Sequence, residues 1–252
     1  MDAAERLPAP ARLHNAQGTS RYVLLCEHAS RFIPESYRAL GLGPEDLSRH
    51  IAWDIGAANV AMRLSDRLQA PLILAGYSRL LIDLNRPLHS RTSIPDISET
   101  TVIPGNLKLT EAERARRAAA YFEPFERAVR SLLDARKGAG TPTVVVGIHS
   151  FTPVYKGVAR PWHAGILFRR SRAFGQALVV ALGGAAAAVA ENEPYQIDDE
   201  SDYTVPVHGE ARGLDAVLVE LRQDLVAGDD GAALWASKLA DALQDERVVG
   251  AV

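Results

Sequence analysis

Thr143-Val144-Val145-Val146-Gly147-Ile148-His149-Ser150-Phe151-Thr152-Pro153 is a β-branched run that stops abruptly at a histidine and two hydroxyl residues. An apolar run of this length predicts a buried strand. In sheets built from such strands, functional groups lie just past the carboxyl ends, where the loops are free to vary. His149 occupies such an end. Arg21-Tyr22-Val23-Leu24-Leu25-Cys26-Glu27-His28-Ala29-Ser30 repeats the pattern, an apolar strand closing on a histidine. Two strand-end histidines can converge on one metal ion.

Outward from these strands, residues 71–75, 80–84, 164–168 and 215–221 read as further strands. Helical spacing marks 57–69, about 173–182 and about 231–243. Thr110-Glu111-Ala112-Glu113 has the form of a capping box, in which threonine and glutamate satisfy each other's backbone N–H groups. It opens a long helix with Ala118, Phe122, Phe125, Val129 and Leu132 on one stripe, and Pro124 should kink or split it. Residues 87–109 read as a long loop, a length that favours function over idle connection. Alternating strands and helices predict an α/β fold, with a mostly parallel or mixed central sheet and helices on both faces. Residues 1–18 read as a flexible arm and 19–252 as one domain.

The basic residues are scattered and the net charge is -3, which argues against nucleic acid or an anionic membrane as partner. Cys26 is the sole cysteine, so a thiolate zinc cluster or an internal disulfide is excluded. Any metal must be held by histidine and carboxylate. No run approaches the ~18 apolar residues of a membrane span, and the first residues lack the apolar core of a signal peptide. A cytoplasmic location is the expectation.

Among the acids, Glu220 sits near the carboxyl end of the apolar run 215–221, where a charge is costly unless paired or metal-bound. The competing reading is an edge strand with Glu220 paired to Arg222. Asp54 precedes a helix and reads either as a cap or as a ligand. Glu27 points to the opposite strand face from His28, so a shared metal cannot be assumed. Arg79 and Arg86 offer planar forks that match a carboxylate, against ordinary salt bridges to Asp83. His14, His50 and His89 read as surface residues, while His163 and His208 could support the site or its substrate.

Cys26-Glu27-His28-Ala29-Ser30, Tyr77-Ser78-Arg79 with Asp83-Leu84-Asn85-Arg86, Ile148-His149-Ser150 and Val219-Glu220-Leu221 occur in one order. From about residue 20 to 225 the chain resembles the N-formylglutamate amidohydrolase family, a family similar to the zinc carboxypeptidases. The resemblance implies a carboxypeptidase-like fold and a hydrolase that cleaves the formamide of an N-formyl amino acid such as N-formyl-L-glutamate. It implies Zn²⁺, or another divalent ion, on His28, His149 and Asp54, with Glu220 as base. Arg79, Asn85 and Arg86 would clamp the carboxylate of a small-molecule substrate, and Arg160 or Arg212 a second one. Arg31 stands where zinc carboxypeptidases carry a glutamate ligand, so a carboxylate from elsewhere must fill that place. Another N-acyl-amino-acid amidase, a small metallopeptidase, or a non-catalytic carboxylate- or metal-binding protein are the competing readings.

Overall fold

The computed structural model describes residues 7–252. Its strands are β1 (Ala11–His14), β2 (Tyr22–Cys26), β3 (Leu72–Ala75), β4 (Ile97–Ser98), β5 (Thr101–Val102), β6 (Val144–Phe151), β7 (Val154–Tyr155), β8 (Val158–Ala159), β9 (Ala164–Leu167), β10 (Val189–Glu191) and β11 (Asp215–Arg222). Seven of them form one mixed sheet in the order β1-β3-β2-β6-β11-β9-β10, while β4-β5 and β7-β8 are separate small hairpins. β3, β2, β6 and β11 run parallel, β1 is antiparallel to β3, and β9 is antiparallel to β11.

Both faces of the sheet are covered, as the unalternating apolar strands require. Leu24, Val146, Ile148, Val217 and Val219 pack beneath α2 (Ala57–Leu68), α5 (Arg172–Ala181) and α6 (Asp229–Leu243). Val23, Leu25, Val145, Ala216 and Leu218 face the opposite layer, built on Phe122 and on α4 (Glu123–Gly138) with its Phe125, Val129 and Leu133. Strand alternation puts Glu27, His149 and Glu220 on this second face, in phase with Val23, Val145 and Leu218. Because β2, β6 and β11 are parallel neighbours, their carboxyl ends lie together, with Glu220 directly opposite His149.

Several expectations are corrected. Residues 11–14 are an edge strand and not an arm; residues 1–6 lie outside the described residues. Residues 80–84 form turns and coil. Their side chains are apolar because they are buried, but the backbone is held by turn and side-chain bonds, such as Leu81 N–H to Ser78 O and Asp83 N–H to Ser93 O. The buried Arg117, at the end of α3 (Glu111–Arg117), pins this coil by donating to Leu81 O, Gly105 O and Asn106 Oδ1. A π-turn over Ala118–Phe122 separates α3 from α4, just before Pro124. Along α4 the buried stripe is Phe125, Val129 and Leu133, with Leu132 partly buried beside it. Thr110 caps α3, but Glu113 pairs with Arg116 and Arg117 instead of bonding back.

Gly165 fixes how a loop reaches the site. It lies opposite Glu220 in β9, and a Cβ there would stand 1.5 Å from Glu193 O. Only glycine lets residues 193–196 cross the sheet this closely and deliver Tyr195 to the cavity. No helix among the described residues is long and apolar enough to cross a membrane.

Candidate metal and hydrolytic site

Asp54 is not the cap of α2. That position is Gly56, whose left-handed backbone (φ 82°) lets the chain turn tightly against Val226. Asp54 N–H donates instead to His28 O, which draws the carboxylate over the strand ends. Asp54 Oδ2 lies 3.3 Å from His28 Nδ1 and 3.0 Å from His149 Nδ1, and it accepts the Ser150 amide at 3.1 Å. The two Nδ1 atoms are 3.2 Å apart.

The outer nitrogens of the same rings meet carboxylates. His28 Nε2 is 2.7 Å from Asp83 Oδ1, and His149 Nε2 is 3.0 Å from Glu27 Oε2. Protons on both Nε2 atoms, toward these carboxylates, would leave both Nδ1 lone pairs aimed at one point, beside an oxygen of Asp54. Three lone pairs so placed repel one another unless a cation stands between them. Their separations match the roughly 3.3 Å expected between ligands bound about 2.0 Å from a tetrahedral Zn²⁺. The donor set therefore fits a divalent metal. Burial alone would raise Asp54, Asp83 and Glu27, but the neighbouring histidines, and Arg79 beside both aspartates, hold all three below the usual carboxylate range. Burial likewise opposes charge on His149, yet Asp54 and Glu27 lift it well above an ordinary histidine. Carboxylates that favour a proton there favour a dication for the same reason.

Glu220 faces this cluster from the strand next door. Arg222 pairs with Asp224, which removes the reading of Glu220 as its partner. Burial first, then the charge of Asp54, push the Glu220 carboxyl up to about 7 against the opposing pull of His149. Its Oε2 is buried with no hydrogen-bond partner among the described residues. It lines a cavity of about 390 Å³ together with the three candidate ligands, Arg79 and Arg86.

The basic residues divide. Arg79 grips Asp83 with Nε (3.0 Å) and Nη2 (2.6 Å) and reaches Asp54 with Nη1 (3.3 Å), so it organises the acids that hold the histidines. Arg86 has no carboxylate within 4 Å among the described residues and donates only to the carbonyls of Asn85 and Ser201. Asn85 Oδ1 accepts from Tyr203 N–H and Thr204 N–H, and its Nδ2 donates to Asp202, so this side chain anchors the loop at 201–204.

A model of the family described as N-formylglutamate amidohydrolase matches residues 20–227. This chain belongs to the N-formylglutamate amidohydrolase family. No curated protein matches it in sequence. Among solved structures it is similar to gene product Atu2144 from Agrobacterium tumefaciens, at 39% identity and TM-score 0.90 over 94% of each chain. It shares the fold of the N-formylglutamate amidohydrolase from Ralstonia eutropha JMP134, at 18% identity and TM-score 0.66 over 97% of each chain.

Within this member of the family, two sequence candidates do not line the cavity. Arg212 pairs with Asp134 and lies beside Thr143, at the amino end of β6, the opposite end of the strand from the site. Arg160 is stacked on the rings of Tyr155 and Tyr195 and donates to Tyr195 OH, outside the cavity lining. Arg31 lies over Trp53. His50, expected at the surface, lines the cavity 3.6 Å from Glu99, whereas His208 is buried against Glu126, outside the lining.

Asp202 and Thr204 escaped the sequence reading, and Glu27 was weighed there only as a doubtful sharer of the metal of His28. Thr204 Oγ1 donates to Glu27 Oε1, so a loop far along the chain orients the acid that orients His149. Parity separated Glu27 from His28, and the register of β2 against β6 is what puts it on the face of His149. For Glu27→Gln, metal affinity is expected to fall by about 10–100-fold, the usual cost of an altered outer partner. Competition with a fluorescent zinc chelator reads this directly. Unchanged affinity would remove Glu27 from the site.

Proposed function

We propose that the protein is a metal-dependent amidohydrolase that cleaves the formamide of an N-formyl amino acid, the class to which N-formyl-L-glutamate belongs. The products are formate and the free amino acid. The observation that supports this is the meeting, in one cavity, of a two-histidine, one-carboxylate metal cradle, an unpartnered carboxylate and an unpaired guanidinium. A cavity of about 390 Å³ suits a small substrate.

His28, Asp54 and His149 would hold the ion. When bound, a divalent metal supplies Lewis acidity, polarising the amide carbonyl and lowering the pKa of water. Glu220 takes the proton of the attacking water and delivers it to the leaving nitrogen, a role suited to a carboxyl poised near neutrality. Arg86 donates to the substrate's α-carboxylate and fixes the amide over the strand ends, which makes attack effectively unimolecular. Arg79 and Asp83 keep the ligand tautomers in place.

The test is formate release from a panel of N-formyl amino acids by protein whose metal content has been measured by elemental analysis. No formate from any member would overturn the reading. In the same assay Arg86→Ala is expected to lose about 2–4 kcal/mol of transition-state binding, or roughly 30- to 1000-fold in kcat/KM. The loss should vanish for N-formyl amino acid amides, which lack the carboxylate. Equal losses on acid and amide would remove Arg86 as the clamp.

A further inference from the structure

We propose that Asp202 accepts the amide N–H of the bound substrate, so that the cavity takes secondary formamides and rejects their N-methyl counterparts. This rests on the reading of the cavity as an N-formyl amino acid site and adds a substrate-binding residue to it. Five acids line the cavity, and four are already engaged. Asp54 belongs to the metal cradle, Asp83 is gripped by Arg79 and faces His28 Nε2, Glu99 is bound by Arg49 at 2.6 Å, and Glu220 is the base. Asp202 is the fifth and has no part in that chemistry.

Asp202 is buried with no cation within 4 Å among the described residues, a costly state for a carboxylate. Burial pushes its carboxyl up to about 6, against the pull of the more distant Arg86. Oδ2 accepts from Asp198 N–H and Ser201 Oγ, both at 3.3 Å. Oδ1 accepts only from Asn85 Nδ2, at 3.2 Å, which leaves it one acceptor site, since a carboxylate oxygen can take two donors.

Its place beside Arg86 decides which group of the substrate it meets. Arg86 Nη1 donates to the carbonyl of Ser201, the residue before Asp202, while Asn85, the residue before Arg86, donates to Asp202 itself. Guanidinium and carboxylate are thereby stitched into one patch of wall. In an N-formyl amino acid the α-carboxylate and the amide nitrogen are carried by the same carbon. A carboxylate docked on Arg86 leaves the N–H beside that patch, where Asp202 is the anionic acceptor. His50, Thr92, Ser98 and Gln196 also line the cavity, but none carries a negative charge and none is hydrogen-bonded to Arg86. The bond strengthens as Glu220 delivers its proton and the nitrogen leaves as an amine, so part of its effect falls on kcat. A site built to bond an N–H rejects an analogue that lacks it, because the buried acceptor is then left unpaired.

N-formyl-L-glutamate and N-formyl-N-methyl-L-glutamate separate the N–H from the rest of the substrate. With the full chain loaded with Zn²⁺, Asp202→Ala is expected to lower kcat/KM for the first by about 10- to 100-fold and to leave the second nearly unchanged. Asp202→Asn keeps one neutral acceptor and should fall between. Calorimetric binding of both compounds to the Glu220→Gln protein, with and without Asp202→Ala, should show the same pattern. A residue that only staples its loop would cost both compounds alike and lower Tm. Equal losses therefore overturn the proposal, as does an Asp202→Ala protein with native kcat/KM on N-formyl-L-glutamate. Turnover with equal losses leaves the formamide hydrolase standing and removes only the role of Asp202. Binding that follows the N–H without turnover of any formamide supports Asp202 and removes the reaction. Binding of neither compound overturns both.

Discussion

Glu220→Gln is expected to lower kcat for formate release by about 10²–10⁴ while metal content, fold and substrate affinity stay near native. The substitution preserves shape and removes the proton acceptor, so it separates three roles. A ligand would lose metal, a structural acid would lose stability, and a base loses only turnover. The geometry favours the base, since Glu220 is outside the cluster of His28, Asp54 and His149, and Arg222 is engaged by Asp224. The sign of the pH effect follows. The ionised carboxylate is the active form, so activity should rise with pH through its pKa, about 7 with no cation beside it and lower with one. Glu220→Gln should lose this acidic limb. Measuring kcat, zinc stoichiometry and Tm on one preparation decides the matter. A metal-replete Glu220→Gln protein with near-native turnover would exclude Glu220 from the reaction.

His149→Ala should purify folded and poor in metal. Its affinity should fall by more than about 100-fold, because changing an outer partner alone costs about 10–100-fold and this change removes a donor. Asp54→Ala should behave alike. Removing His149 also releases Glu27, a buried carboxylate held low by that ring, so some loss of Tm should accompany the loss of metal. Arg212→Ala is the control, since it lies at the far end of the strands and should keep native occupancy. Elemental analysis after exchange into metal-free buffer gives the answer. Full occupancy in both His28→Ala and His149→Ala would withdraw the assignment of the metal site.

The apolar runs at 21–26, 143–148 and 215–221 determined by themselves that the chain builds a sheet covered on both faces, because strands without alternation must be buried on both sides. They also determined which residues stand at the strand ends, so His28, His149 and Glu220 were legible as a group before any coordinates. Parity along β2 determined that Glu27 leaves the sheet on the other side from His28.

Only the tertiary structure decided what those residues do together. Strand order is absent from local pattern, and it is the adjacency of β2, β6 and β11 that turns separate strand ends into one cluster. The third candidate ligand was ambiguous in sequence because an aspartate before a helix is usually a cap. A left-handed Gly56 takes that position and leaves Asp54 free to turn inward. The strand read at 80–84 was misplaced because burial selects apolar side chains in coil as well as in strands. Charge was the least legible property of all. Arg79, Arg86, Arg160 and Arg212 are equal as letters, and only their partners show that one organises acids, one stands unpaired in the cavity, one stacks on tyrosines and one pairs with Asp134 at the far end of the strands. Electrostatic roles depend on distances between residues remote in sequence, and those distances exist only once the chain has folded.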